Sequence, residues 1–257
     1  VVFVALTASM RRSILLPLML LPVLLVAQQT VYDETRILYK KELHGGLIAH
    51  GDGWGANFFH GKHRTARSRR MIGIEIVGMK HPKEIKSFNP YYEDARGYFY
   101  GKMNSVLLFR PTWGRKELIT DKLRKSGVEV NYVWGIGPSI AMLKPVYLQI
   151  GKPSLPYETI AVERYDPEVH YPDDIFGRAS WFKGIEESKF RFGGFARFGL
   201  NFEHSGSAAG IKALEVGGTI DAFPERLPIM ADLDGVENKQ FFLELYISIQ
   251  FGKKYVR

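Results

Sequence analysis

Between Phe241 and Phe251 the chain alternates without a break. Phe241, Leu243, Leu245, Ile247, Ile249 and Phe251 fall on one face of an extended strand, and Phe242, Glu244, Tyr246, Ser248 and Gln250 fall on the other. Successive side chains of a strand point to opposite faces, so this segment is apolar on one side and polar on the other. The same division recurs upstream. Phe190, Phe192, Ala196, Phe198, Leu200 and Phe202 oppose Arg191, Gly193, Arg197, Gly199, Asn201 and Glu203. Leu214, Val216, Ile220 and Ala222 oppose Glu215, Gly217, Thr219 and Asp221. Val128, Val130, Tyr132, Trp134, Ile136 and Ile140 oppose Glu129, Asn131, Gly135, Gly137, Ser139 and Ala141. Weaker versions lie at 40–50, 54–63, 70–79 and 98–112, which makes eight strands, an even number.

Alternation alone leaves the orientation open. A soluble sandwich or lipocalin-like barrel turns the apolar face inward, whereas a membrane barrel turns it outward. Three features favour outward: an export signal, strands near the 9–11 residues that cross a bilayer at a tilt, and a polar face mixing Arg, Glu and Asp with Gly. Glycine-rich polar faces suit the crowded lumen of a narrow barrel. The reading is therefore an all-β, antiparallel, up-and-down transmembrane barrel of eight strands. Backbone groups in hydrocarbon must be satisfied within the protein, and only a closed barrel does this with strands.

From Met10 the chain reads MRRSILLPLMLLPVLLVAQQ: two arginines, an apolar run from Ile14 to Ala27, then a polar segment. This is the layout of a signal peptide, expected over residues 10–27, with the barrel domain over 28–257. The run is shorter than the roughly 20 residues of a spanning helix and is weakened by Pro17 and Pro22. The nine residues before Met10 are expected to reflect a start placed too far upstream. Later apolar runs are each interrupted by charge or Gly within about ten residues.

The 257 residues include no Cys, which removes disulfide frameworks, thiolate nucleophiles and cysteine-based metal sites. Much of the excess behind the formal charge of +8 lies in short clusters such as 64–70 and 122–127 with no nucleic-acid-binding motif beside them, so nucleic acid is not an expected partner.

If the first strand runs outward, the inward-side turns are 63–70, 113–127 and 204–210, and the outward loops are 50–53, 80–97, about 144–189 and 224–240. Short periplasmic turns and longer extracellular loops are what a barrel of this kind should have, although 113–127 is long for a turn. Within 167–190 a short helix is expected to start near Asp173 or Asp174, whose carboxylates can cap it.

In so narrow a barrel side chains fill the lumen. Arg110, Arg191 and Arg197 are expected to meet Glu75, Glu129, Glu215, Asp221 and Glu244 there and neutralise one another, closing the lumen. Phe198, Leu200, Leu214, Val216, Leu243, Leu245 and Ile247 are expected to face lipid. On that assignment Leu245→Arg or Phe198→Arg impairs assembly by roughly 2–4 kcal/mol, and Tyr246→Phe is mild. Trp54, Trp113, Trp134, Tyr132 and Tyr147 lie near strand ends or on outward faces, where interfacial aromatics belong.

The chain resembles the outer-membrane β-barrel proteins common in Bacteroidota, of the OmpA-like eight-stranded type. The segments carrying the resemblance are LLVAQQ at the signal's end, Gly-rich strands such as VNYVWGIGPSIAM, and the aromatic-ended strand LYISIQF, over about residues 38–252. It implies a Gram-negative outer membrane and, as partners, outer-membrane lipid, lipopolysaccharide and the barrel-assembly machinery. That machinery reads a terminal aromatic, here Phe251 or Tyr255, because the chain continues GKKYVR. The family has no single activity.

Other motifs weigh less. His44, His50, His60 and His63 cluster in the first hairpin, but no carboxylate or thiol supports a metal site there, and none is expected. ADLDGVEN (231–238) lacks a full calcium register. GIGPS (135–139) lies within a strand and opens no helix. His50, His170, Asp173 and Ser180 form a formal hydrolytic set that nothing in their spacing requires. The expected function is a structural or interaction barrel without enzyme activity or cofactor. The alternatives are an accessory subunit of a larger secretion or uptake complex, and a lipid-modifying enzyme.

Overall fold

The computed structural model describes residues 39–122, 127–153, 155–204, 209–233 and 235–256; the expected signal segment lies outside them. Thirteen strands follow in order: β1 (Lys41–His50), β2 (Gly53–His63), β3 (Ser68–Met79), β4 (Lys86–Ser87), β5 (Tyr98–Phe99), β6 (Asn104–Thr120) and β7 (Val128–Pro145). Then come β8 (Tyr147–Lys152), β9 (Thr159–Arg164), β10 (Ile175–Arg178), β11 (Lys189–His204), β12 (Gly210–Ala222) and β13 (Phe241–Tyr255). Eight of them close into an antiparallel barrel in the order β1-β13-β12-β11-β7-β6-β3-β2. Closure abolishes the sheet edges that would otherwise recruit other chains.

The two rims differ. One, the turn end, carries β1's first residue, β13's last and the connections after β2, β6 and β11. The other, the loop end, carries the tight turn at Gly51 and Asp52 and three long excursions, 80–103, 146–188 and 223–240. The excursions hold a two-stranded sheet (β4-β5) and a three-stranded one in the order β10-β8-β9.

The period-two pattern resolves with its apolar face outside. Leu243 and Leu245 are 82% and 81% exposed, whereas Glu244 between them and Tyr246 beyond them are 6% and 4% exposed.

Two sequence expectations change. Residues 113–120 do not belong to a turn: β6 continues to Thr120, with Trp113 and Arg115 outside and Gly114 and Lys116 inside. Pro111 and the shift from apolar to charged outward residues hid this extension. The helix expected near Asp173 is a single 3-10 turn, Pro172–Asp174, in which Tyr171 N donates to Asp174 at 3.2 Å. Pro172 starts the turn, and too few residues follow to propagate it.

One seam is interrupted. Between β6 and β7 the ladder runs to Phe109↔Ile140 and resumes at Trp113↔Ile136, which sets Pro111 opposite Pro138 in the gap. Both lack an N–H, so the pair can donate nothing across the seam. On their other sides Pro111 keeps register with Ile74 and Pro138 with Gly194.

Candidate functional site

The barrel's interior changes character along its axis. At the loop end it is apolar: Ile48, Val77, Met79, Leu108, Leu143 and Phe242 from the strands pack against Phe223, Leu227, Ile229 and Met230 from the 223–240 excursion. That excursion folds into the mouth and is pinned there. Met103 N donates to Ile229 O at 2.9 Å and Ala231 N to Gly101 O at 2.7 Å. The Asn238 side chain accepts from Ile229 N and Met230 N and donates to Met230 O at 2.8 Å. This is what the ADLDGVEN segment does in the structure; its Asp234 lies outside the described residues.

Below the plug an ion-pair chain crosses the lumen between opposite walls. Arg110 on β6 grips Asp221 on β12 with two bonds, Nε to Oδ1 at 3.1 Å and Nη2 to Oδ2 at 2.5 Å, and gives Nη1 to Glu75 Oε1 at 2.7 Å. Arg197 on β11 gives Nη1 to the other Glu75 oxygen at 2.9 Å and Nη2 to Glu215. Tyr246 donates to Glu215 at 2.8 Å, and Asn201 and Gln250 donate to its second oxygen at 3.0 and 3.1 Å. Arg110, Glu75 and Asp221 are each 0% exposed, so these charges persist only because each meets an opposite partner. Arg110 also lies 4.9 Å from the Phe195 ring, and Arg197 stacks between Phe59 and Tyr246 at 5.2 and 4.8 Å.

Toward the turn end a second cluster follows. Arg69 donates to Glu129 at 2.5 Å and approaches Glu42 at 3.4 Å. Glu203 receives Lys116 at 3.0 Å and Lys254 at 2.5 Å. Between the clusters a small cavity lined by His44, Thr112, Lys116, Arg197, Glu215 and Gln250 has room for about one water molecule.

Of the residues expected in the lumen, Glu75, Arg110, Arg197, Glu215 and Asp221 meet in one chain, and Glu129 joins the second cluster. Glu244 faces His50 Nδ1 at 2.5 Å, near the loop end. Arg191 is a correction: it sits at the rim above the filled interior, its side chain half-exposed, paired with exposed Glu225 at 3.3 Å. Phe198, Leu200, Leu214, Val216, Leu243, Leu245 and Ile247 all stand on the exterior, Val216 the least exposed of them.

Sequence reasoning missed Glu42, Arg69, Lys116, Glu203 and Lys254 as lumen charges. Glu42 and Glu203 lie within expected strands, Glu203 on the polar face, whereas Arg69, Lys116 and Lys254 fall outside strands whose expected bounds are too short. Lys116 had been placed in a turn, and Lys254 lies beyond the aromatic at Phe251 taken as a strand end.

The histidines do not assemble. His44 packs edge-on against Phe59, His60 is exposed on the exterior, and His63 approaches Glu42 at 3.5 Å. Among the described residues no group of three or more metal-ligating side chains gathers. The two histidines of the formal hydrolytic set are engaged elsewhere. His50 is committed to Glu244, while His170 contacts Glu163 at 3.3 Å and accepts from Asp166 N at 3.1 Å.

The other excursions build a cap with its own core of Tyr98, Leu148, Ile150, Tyr165 and Ile175. Asn89 clasps the 80–103 and 146–188 segments, donating to Tyr157 OH and Ile175 O at 2.9 Å each, and Tyr92 stacks on Tyr157 at 5.0 Å. Burial pushes the Tyr165 hydroxyl up to about 12, even though Gly101 N donates to it.

Fold and interior together define a closed eight-stranded barrel with an apolar exterior, buried charged side chains in its lumen and a folded cap at one end. Solved structures to which the chain is similar include Ail, the attachment invasion locus protein of Yersinia pestis, at 7% identity and a TM-score of 0.39, covering 85% of this chain and 100% of that one. Another is the Neisserial surface protein A, at 8% identity and a TM-score of 0.37, covering 84% of this chain and 96% of that one. No family model and no curated protein matches the sequence.

Proposed function

We propose that the chain is an integral outer-membrane β-barrel with a structural or interaction role exerted through its capped loop end, its lumen closed to ions. The observation that carries this reading is the inverted packing: charges inside, and Phe, Leu and Ile outside on strand after strand. In water such a surface would be a large aggregation liability. In hydrocarbon it is the favourable arrangement.

The dimensions agree. The apolar outward residues of β13 run from Phe241 to Phe251, about 34 Å of strand at 3.4 Å per residue. At the usual tilt of roughly 40° this rises about 26 Å, close to the band of about 25 Å that outer-membrane barrels present. The turn end, with its short connections, then faces the periplasm and the cap faces outward. The ion-pair chain and the apolar plug in series support a sealed lumen. The pairing of His50 with Glu244 and of His170 with Glu163 and the Asp166 amide favours a non-enzymatic role.

The test combines two measurements on the refolded protein. Unboiled protein in detergent gels should migrate apart from boiled protein, and its insertion into planar bilayers should give no steady conductance. Identical mobility before and after boiling would remove the barrel reading. A steady, ion-selective current would remove the sealed lumen.

A further inference from the structure

On four neighbouring strands an outward residue near the turn end is a cation in direct register with the next. Lys41 on β1 is opposite Lys62 on β2, Lys62 opposite Arg70 on β3, and Arg70 opposite Arg115 on β6. All four are exposed, and Lys253 on β13 joins diagonally, one outward position up, opposite Leu43. Directly opposed residues on one face of an antiparallel pair have Cβ atoms about 5 Å apart, where like charges repel. Among the described residues the carboxylate that approaches the row is Glu117, 4.0 Å from Arg115 and also bonded to Tyr132 OH. Four aligned cations against one shared carboxylate call for an external anion.

Position along the barrel selects which anion. The next outward residues along β3 and β6 are Ile72, 50% exposed, and Trp113, 38% exposed. Arg70 lies 5.7 Å from the Trp113 ring, and Arg115 is in register with Trp134, which packs edge-on against Trp113 at 5.6 Å. Tryptophans of this kind mark the level where hydrocarbon gives way to headgroups. Arg70 and Arg115 therefore stand at phosphate depth, and the long, flexible side chains of Lys62 and Lys41 extend toward the same level.

We infer that Lys41, Lys62, Arg70 and Arg115 form a docking stripe for anionic phospholipid headgroups in the periplasmic leaflet. The inference rests on the membrane reading above. Adjacent strands are about 4.8 Å apart, so the stripe runs about 14 Å across the strands; at a tilt of roughly 40° this covers about 11 Å along the leaflet and about 9 Å in depth, still enough to meet more than one headgroup phosphate.

The test uses the full chain with Trp54→Phe and Trp181→Phe, so that the remaining tryptophans, Trp113 and Trp134, report from beside the stripe. It is refolded into vesicles of phosphatidylcholine alone or mixed with phosphatidylglycerol, one lipid or the other brominated to quench them. The expected result is a several-fold preference for phosphatidylglycerol that weakens with salt. The preference should fall to near unity with Lys41→Gln, Lys62→Gln, Arg70→Gln and Arg115→Gln together. It should survive removal of four loop-end charges by Lys86→Gln, Arg178→Gln, Lys189→Gln and Arg226→Gln. Gel mobility in pure phosphatidylcholine vesicles should be the same for all three proteins, which separates folding from lipid choice. Absence of any preference in the parent, persistence in the stripe variant, or selection of lipopolysaccharide over phosphatidylglycerol in the same assay would each overturn the inference. Failure of the parent to insert into any vesicle would instead strike the membrane reading itself.

Discussion

The Tyr246 hydroxyl on β13 donates to Glu215 Oε1 on the neighbouring β12 at 2.8 Å, inside the barrel. Its oxygen at the same time accepts from Arg197 Nη2 at 3.0 Å. A phenol that serves a buried carboxylate and a buried guanidinium together is not replaceable by a benzene ring. The sequence expectation that Tyr246→Phe would be mild treated the position as one more aromatic on the polar face. With both partners charged and 4% or less exposed, the loss should cost about 1.5–3 kcal/mol. Urea unfolding in lipid vesicles measures it, and a change under 0.5 kcal/mol would count against the network.

Arg110 holds two acids, Asp221 and Glu75, from opposite walls. Arg110→Leu leaves Asp221 buried with only the Ser139 hydroxyl and Glu75 with Arg197 alone, so destabilisation should reach about 3–5 kcal/mol. Arg191→Leu, at the solvent-exposed rim, should cost no more than about 1 kcal/mol. Refolding yield and unfolding midpoints for the two variants should therefore separate clearly.

Leu245→Arg and Phe198→Arg place a charge on the exterior apolar belt and should impair assembly by roughly 2–4 kcal/mol. Wild-type-like folding of both would contradict the belt.

Across the β6–β7 seam, Pro138→Ala introduces a donor facing Pro111 O. One hydrogen bond brings about 1 kcal/mol, while losing a proline's restraint on the unfolded chain returns about 0.4–1 kcal/mol. Stability should thus move by less than about 1 kcal/mol, and the informative readout is deuterium exchange. The new amide should exchange as slowly as those of Phe109 and Ile140, and rapid exchange would mean that the seam is open for another reason.

In the cap, Tyr165 stays neutral to about pH 12 because burial disfavours its phenolate. A raised folded-state value contributes stability that is complete below the ordinary tyrosine value near 10 and is lost as pH climbs toward 12. Near-ultraviolet circular dichroism should show the cap loosening in that window while the barrel's far-ultraviolet signal persists. Tyr165→Phe should abolish the step.

How much of this was legible varies by physical cause. The eight barrel strands were, because one face of each must be apolar and the period-two pattern records that requirement directly, as in Phe241–Phe251. The Arg110–Asp221–Glu75–Arg197–Glu215 chain was legible as a set of inward charges, but its pairing depends on which strands face each other across the lumen, and local spacing does not carry this. Lys116 and Lys254 were hidden by strands that outrun their apolar belts. The 223–240 plug was hidden for a different reason. PERLPIMADLDGVENKQ reads as a polar loop, and only the barrel mouth supplies the apolar surface that buries Leu227 and Ile229.

The central claim, that the alternating faces are lipid outside and sealed charge inside, is tested most directly along β13. The chain has no native Cys, so single Leu243→Cys, Glu244→Cys, Leu245→Cys, Tyr246→Cys, Ile247→Cys and Ser248→Cys variants can each be spin-labelled and reconstituted. The account predicts that paramagnetic broadening by lipid-dissolved oxygen alternates with period two, high at 243, 245 and 247 and low at 244, 246 and 248. Collision with a water-soluble relaxant at 243, 245 and 247 in place of oxygen would contradict it.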